Sequence, residues 1–299
     1  MLSLHTNAAA LSSQNAVGNT QKALTTSLTR LGTGFRVNSA MDDAAGLQIA
    51  VRLNAQTRGM AVAQKNTQNG ISMMQTAEGA FTELTNVLLR MKDLSTEAYN
   101  ASTTADDQTA LQAEFDALGQ ELNNIMRTSA FGGQQLFSDG TTTDGSGGLL
   151  SAAISFQIGA SEAETMEVDT ATNLTNLATA LVAVSAQYGT PDNATPGTEL
   201  TAATAPTGAA HPIALINAAL DEVGKVRAQL GASSNRLEHV YNNLGNMITN
   251  TTASRGRIMD VDYAAETSNS TAKQLLMQAG TSALKQSSSL SQLVISLMQ

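Results

Sequence analysis

INAALDEVGKVRAQLGASSNRLEHVYNNLGNM, residues 216–247, holds the clearest structural signal in the chain. Ile216, Leu220, Val223, Leu230, Leu237, Val240, Leu244 and Met247 follow one another at 4, 3, 7, 7, 3, 4 and 3 residues. An apolar seam with that spacing, sustained over more than four heptads, is what a long helix needs to pack along other helices. His239 flanks the seam beside Val240 and reads as a surface or interfacial residue.

The prolines extend this reading to the whole chain. Pro191, Pro196, Pro206 and Pro212 share one window, so the 190 residues before it and the 87 after it contain none. A proline inside a helix removes a donor and clashes with the preceding turn, at about 3 kcal/mol. Two long stretches are therefore free to be helical, an outgoing arm and a returning arm, and the chain ends are expected side by side. Leu4 and Leu11 stand seven apart, and Leu24, Leu28 and Leu31 follow at four and three, up to a break at Gly32-Thr33-Gly34. Ile71, Met74, Phe81, Leu84, Leu88 and Met91 predict a helix over about 56–99, roughly 65 Å long at 1.5 Å per residue. Leu111, Phe115, Leu118, Leu122 and Ile125 predict another, ended by Gly132-Gly133. Leu290, Leu293 and Leu297 complete the terminal stripe.

Between the arms the period changes. SAAISFQIG and TMEVD, within 149–168, are short β-branched runs around Gly159-Ala160-Ser161 and predict a small hairpin. NLTNLATALVAVSAQY, 173–188, is compatible with a helix, and 189–212 reads as a Pro/Thr/Ala/Gly loop. The fold class is mainly α: a long coiled-coil-like helical bundle with paired N- and C-terminal helices and a small β-hairpin.

Composition favours helix interfaces over a globular enzyme core. Among 299 residues there is no Trp, with 4 Tyr and 6 Phe, so the largest-area core formers are scarce. There is no Cys, which excludes disulfides, thiolate metal sites and cysteine nucleophiles. The net charge of −9 is unevenly placed. Residues 1–41 carry only Lys22, Arg30 and Arg36, and 267–299 only Lys273 and Lys285, so the ends hold +5 and the middle −14. Chain ends with spaced leucines and so few charges suit burial against another chain. Their many Ser, Thr and Gln residues give weak intrinsic helicity, so ordering coupled to association is expected.

Catalytic and ligand motifs are missing. His5, His211 and His239 are far apart and form no HExxH pair, the Asp139-Gly140 and Asp144-Gly145 turns lack the later Glu of a calcium loop, and Gly145 to Gly148 lack the Lys-Ser/Thr of a phosphate loop. No catalytic residue, cofactor or metal is expected. The acidic balance without a basic stripe argues against nucleic acid, and no apolar run approaches the ~18 residues of a membrane span. The start MLSLHTNAAALSSQ has no basic region, so export is expected by a route that keeps the N-terminus.

TRLGTGFRVNSAMDDAAGLQIA (29–50), NTQNGISMMQTAEGAFTEL (66–84) and NRLEHVYNNLGNMITNTTASRGRIMDVDYAAETSNSTAKQLLMQAGTSALKQ (235–286) resemble bacterial flagellin, as does FQIGA at Phe156. The resemblance spans about 1–137 and 213–299. It implies the subunit of the flagellar filament, an extracellular homopolymer serving motility. Residues 1–40 and 256–299 would form the inner coiled-coil layer, and 41–170 with 213–255 the helical bundle. Residues 171–212 would remain as a short variable surface excursion, too small for an independent domain. The other readings are a hook-filament junction protein or another helical secretion-system component. An enzymatic flagellin would need a larger insert.

The resemblance also implies partners: a flagellar secretion chaperone wrapping about 260–299, the flagellar type III export apparatus, the filament cap and hook-junction proteins. Leu4, Leu11, Leu24, Leu28, Leu31, Leu275, Leu276, Leu284, Leu290, Leu293 and Leu297 would be the assembly or chaperone contacts. LLRMKDLS and LQAEFDAL match the pattern gripped by a Toll-like receptor of animals at Arg90, Leu94 and Glu114, positions that also suit packing. The plant-receptor-like epitope would use Arg36, Asn38, Ser39, Asp42, Asp43, Gly46 and Leu47. Met41 and Phe35 depart from the family pattern there.

Overall fold

A computed structural model describes residues 7–141, 143–189, 195–201, 208 and 211–297, with backbone alone for 290–297. Leu4, His5, Pro191, Pro206 and the side chains of Leu290, Leu293 and Leu297 lie outside the described residues. The elements run α1 (Ala8–Thr33), α2 (Ala44–Ala98), α3 (Ala105–Thr128), β1 (Ala130–Phe131), β2 (Gln134–Gln135), a 3-10 turn (Leu149–Ser151), β3 (Ile154–Gln157), β4 (Thr165–Val168), α4 (Ala171–Val184), α5 (Pro212–Met259) and α6 (Tyr263–Leu297). Two compact units result, 1–57 with 248–299, and 58–247. The resemblance put the inner layer at 1–40 and 256–299; the compact units themselves divide within α2 and α5.

In the first unit α1 and α6 pack antiparallel. Asn7 caps α1 by accepting from Ala10 N–H, and its side chain donates to Ser287 O at 3.1 Å. Gly34 closes the helix in the left-handed region, φ 75°, its N–H donating to Arg30 O at 2.9 Å. This is the break expected at Gly32-Thr33-Gly34. Hydroxyls of Thr20, Thr25, Thr26, Thr29 and Thr33 each donate to the carbonyl four residues back, as do those of Thr267, Ser268 and Thr271 on α6. Such back-bonding satisfies exposed hydroxyls within the helix but adds little to its stability.

The second unit is the helical bundle. Phe81, Leu84, Leu88, Met91, Leu94 and Ala98 of α2, Phe115, Leu122 and Met126 of α3, and Ile216, Val223, Leu230 and Leu237 of α5 form one buried core. The α5 seam is more regular than the large residues alone suggest, because Ala219, Val226 and Ser233 are also buried and alternate with them at three and four. Leu220, by contrast, is only half-buried. Phe81 meets Phe137 with ring centroids 4.7 Å apart.

β3 and β4 pair antiparallel, Ile154 with Val168 through Gln157 with Thr165, forming the expected hairpin. Its docking depends on small residues in α2. A Cβ at Gly70 would lie 3.0 Å from Phe156 Cε1 and 3.1 Å from Leu237 Cδ1, and one at Gly59 would lie 2.8 Å from Ala160 Cβ.

Three expectations need correction. α2 starts at Ala44 rather than near 56, because nothing in AAGLQIAVRLNA breaks a helix. α3 ends at Thr128, with Ser129 as its cap, so Gly132 and Gly133 do not terminate it. They take φ 61° and 85° in the turn of a second hairpin, β1–β2, which the sequence reading missed. The 171–212 segment is not confined to the surface. Leu174, Leu177, Leu181 and Val184 of α4, with Tyr188 and Leu200, are at most 1% exposed and belong to the bundle core. Their 3, 4 and 3 spacing is a helical stripe that needs a partner face.

Candidate functional site

The surfaces that could carry function are the α1–α6 pair, the segment between α1 and α2, and the α2–α3 face. The α1–α6 contact is built from small and polar side chains. Ser27, Glu266 and Ser270 are buried, and Leu24 is the fully buried apolar residue of these two helices among the described residues. Lys273 Nζ donates to Ser27 Oγ at 2.6 Å and to Ala23 O at 3.3 Å, and Arg30 lies 3.9 Å from both Asp42 and Glu266. A Cβ at Gly280 would sit 2.7 Å from Val17 Cγ2, so only glycine permits that approach.

The predicted leucine stripe divides. Leu24 faces α6 while Leu31 and Leu284 are half-buried, but Leu11 is 54%, Leu28 50%, and Leu275 and Leu276 each 61% exposed. Leu24 and Leu28 therefore do not share a buried face. The exposed four look outward from a helix pair that does not need them.

The segment from Gly34 to Asp43 is tied to the end of α5. Arg36 N–H donates to Met259 O at 2.6 Å, Val261 N–H to Gly34 O at 3.0 Å, and the Arg36 guanidinium to Ile258 O at 2.8 Å. Asp42 Oδ2 accepts from the N–H groups of Asn38 and Ser39 at 3.1 and 3.0 Å, which holds its carboxyl below the usual carboxylate range. Asn38 Nδ2 donates to Phe35 O, and Asp43 Oδ1 accepts from Gly46 N–H at the start of α2. A Cβ at Gly46 would lie 2.3 Å from Asp43 Oδ2, which explains the glycine. Leu47 is half-buried. These seven residues are brought together as a turn and helix cap, and Met41 stands 96% exposed at its tip.

On the bundle, Arg90 Nε and Nη2 donate to one oxygen of Glu114 at 2.9 and 2.6 Å, linking α2 to α3. The bond to Glu114, then the charges of Glu114, Asp93 and Glu97, push the guanidinium pKa up. Both side chains are about half exposed. Leu94 is not: at 1% exposure it lies in the core, and its side chain is not presented to a receptor. That candidate is corrected to a packing residue. Leu89, next to Arg90 in sequence, is 46% exposed.

α3 carries a second buried face that the sequence reading passed over. Gln112, Asp116, Gly119 and Asn123, at steps of four, three and four, run alongside the apolar stripe and are buried. Gly197 N–H and Leu200 N–H donate to Asp116 Oδ2 and Gln112 Oε1 at 2.9 and 2.7 Å, fastening residues 195–201 to the helix. The periodic polar spacing was the available signal. Among the described residues, no three His, Cys, Asp or Glu side chains cluster to hold a metal, and no helix is long and apolar enough to cross a membrane.

Two family descriptions match this arrangement: the bacterial flagellin N-terminal helical region over residues 4–142 and its C-terminal helical region over 213–298. The chain belongs to the bacterial flagellin family. Flagellin D of Vibrio anguillarum is 33% identical over 388 positions covering 99% of each chain. Flagellin A of Vibrio cholerae serotype O1 is 35% identical over 379 positions covering all of both. Against the 299 residues here, the latter alignment leaves at least 80 positions (379 less 299) of the relative unmatched, so this is a short flagellin chain. Residues 143–212, with β3, β4 and α4, fall between the two matched regions.

Proposed function

We propose that this chain is the structural subunit of an extracellular bacterial flagellar filament, with no enzymatic activity. Copies associate through α1 and α6 as an inner layer, and residues 41–170 with 213–255 surround it as the bundle. The observation that carries the reading is the terminal helix pair. It is nearly free of acidic residues, pairs through small polar groups, and leaves Leu11, Leu28, Leu275 and Leu276 half or more exposed. Full burial of such a side chain contributes about 1.5–3 kcal/mol, and about half of that remains to be gained by each on assembly. Ordering of the ends is coupled to that burial.

The secretory partners follow from the same surface. A chaperone groove would take the apolar face of α6 through Leu275, Leu276 and Leu284, extended by Leu290, Leu293 and Leu297, in a helix-in-groove mode. These leucines would then bury in the filament, so chaperone binding and assembly exclude one another. The type III export apparatus, the filament cap and the hook-junction proteins would handle the same ends. For the monomer, the exposed Arg90–Glu114 pair favours recognition by a Toll-like receptor of animals. Residues Arg36 to Leu47 are the candidate plant epitope, available only if the receptor accepts or opens their turn.

The filament reading is tested by adding purified full chain to sheared filament fragments and following length by electron microscopy. Elongation is expected. Failure to elongate at any salt concentration rejects homopolymer function and favours a junction-type component with the same helix pairing.

A further inference from the structure

Charge is sorted along the chain. Residues 44–77 hold Arg52, Arg58 and Lys65 and no acid, whereas 93–126 hold seven acids, Asp93, Glu97, Asp106, Asp107, Glu114, Asp116 and Glu121, and no Lys, Arg or His. On α2, Arg58, Val62 and Lys65 follow one another at steps of four and three, which puts them on one helical face. All three side chains are exposed, Val62 to 58%. Neither cation joins an ion pair or a side-chain hydrogen bond among the described residues. The hairpin loop that packs on Gly59 through Ala160 carries Glu162 and Glu164, and neither pairs with a cation; Glu164 Oε2 accepts from Ser161 N–H at 2.9 Å instead.

The acids gather where α2 ends and α3 begins. Gln108 Nε2 donates to Ala98 O at 2.9 Å and the Thr103 hydroxyl to Glu97 O at 2.7 Å, which holds the two helix ends together. Asp93 and Glu97, on the last two turns of α2, and Asp106, on the first turn of α3, are exposed and have no ion-pair partner. Arg90, whose charge they feel, is already bound to Glu114. Even with Arg90 and Lys92 counted, 90–126 carries −5, two cations against seven acids. The two patches do not reach one another within a chain. Lys65 and Asp93 stand 28 positions apart on one uninterrupted helix, about 42 Å at 1.5 Å per residue.

We infer that these two surfaces meet between copies, the Arg58–Val62–Lys65 face of one chain docking on the Asp93–Glu97–Asp106 corner of a second. The inference rests on the filament reading above and names a bundle-to-bundle contact within it. Two distinct, complementary patches are what a head-to-tail contact needs, and such contacts repeat into open helical arrays when the rotation does not close. Opposite charge orients the incoming chain and speeds its encounter. Val62, flanked by the two cations, supplies apolar area that the contact removes from water.

Seeded elongation of the purified full chain, followed by electron microscopy, tests the contact apart from the filament reading. Arg58→Glu/Lys65→Glu makes both patches acidic, and Glu97→Lys/Asp106→Lys makes both basic. Each variant alone should elongate about tenfold or more slower than wild type at about 0.1 M salt. Their equimolar mixture should recover to within about threefold of the wild-type rate, because acidic and basic copies can alternate. Relative to wild type at the same salt, both deficits should shrink at about 1 M, where the Debye length falls from about 10 Å to about 3 Å. Circular dichroism confirms the fold of each variant. Wild-type rates from both folded variants, or deficits that neither mixing nor salt relieves, overturn the contact and leave the filament reading standing. Failure of the wild-type chain to elongate rejects the filament reading, and the contact falls with it.

Discussion

Leu94→Ala separates packing from recognition on the α2 face. Leu94 is 1% exposed and continues a stripe in which Phe81, Leu84, Leu88, Met91 and Ala98 are each 0% exposed. Truncating a leucine in such a setting removes its transfer free energy and leaves a cavity, together about 2–5 kcal/mol. Taking about 3 kcal/mol, and about 2–4 °C per kcal/mol for a domain of 150–250 residues, the bundle should melt roughly 6–12 °C lower. The neighbouring Leu89→Ala is the internal control, because Leu89 is 46% exposed and its loss should change stability by less than about 0.5 kcal/mol. The assay is far-UV circular dichroism against temperature for both variants, with urea titration to verify that the slope against denaturant is unchanged. Equal midpoints for the two variants would refute the burial argument. A drop confined to Leu94→Ala means that any loss of receptor signalling by this variant has to be measured well below its melting range.

Arg90→Ala and Glu114→Ala, at an exposed pair, should leave the melting temperature nearly unchanged while lowering Toll-like-receptor signalling by monomer; full signalling from both removes the pair from the recognition surface. Acid should loosen the start of α3. Asp107 forms a capping box with Thr104, whose hydroxyl and N–H hold the Asp107 carboxyl below its ordinary value. A lowered folded value stabilises above the unfolded pKa of about 3.9 and is lost as pH falls through the folded one, so Asp107→Asn should flatten the decline in melting temperature below about pH 4. An unaltered pH profile would show that the cap does not titrate with folding. Truncation after Ser289 should preserve most bundle helicity by circular dichroism yet block filament growth in sedimentation; collapse of all helicity would show that the ends and bundle do not fold separately.

The helices were legible where apolar spacing and the absence of proline agreed. The α5 seam, the α2 stripe from Ile71 to Met91 and the Gly34 break needed nothing beyond periodicity and backbone sterics. Ala219, Val226 and Ser233 escaped because small residues carry no hydrophobic signal, although the packed seam depends on their size. α4 was visible as a helix, but its place was misjudged: proximity to four prolines suggested surface, while Leu174, Leu177, Leu181 and Val184 demanded a core. Gly132-Gly133 illustrates a different ambiguity, since the same dipeptide can end a helix or turn a hairpin. The family resemblance grouped Arg90, Leu94 and Glu114, and it could not show that one turn of α2 separates the exposed Arg90 from the buried Leu94. The fastening of Gly197 and Leu200 to Asp116 and Gln112 was out of reach, because its members come from segments that only tertiary packing unites.

The α1–α6 pair shows why its leucines matter. Leu24 is the fully buried apolar side chain of the two helices among their described residues, although α1 has 26 residues and α6 has 35. One such burial contributes about 1.5–3 kcal/mol, while fixing each residue's backbone costs about 1–2 kcal/mol. Helical hydrogen bonds return only a modest net gain in water, and the Ser- and Thr-rich composition lowers it further. The contact between the two helices therefore supplies register more than stability: Lys273 can reach Ser27 and Ala23 in one alignment, and Gly280 admits Val17 in the same one. Stability has to come from outside the pair, and Leu11, Leu28, Leu275 and Leu276 are the apolar surface able to gain it. On this argument Lys273→Ala should loosen the alignment of the ends, whereas Leu276→Ala should leave the monomer unchanged and weaken its addition to a growing filament.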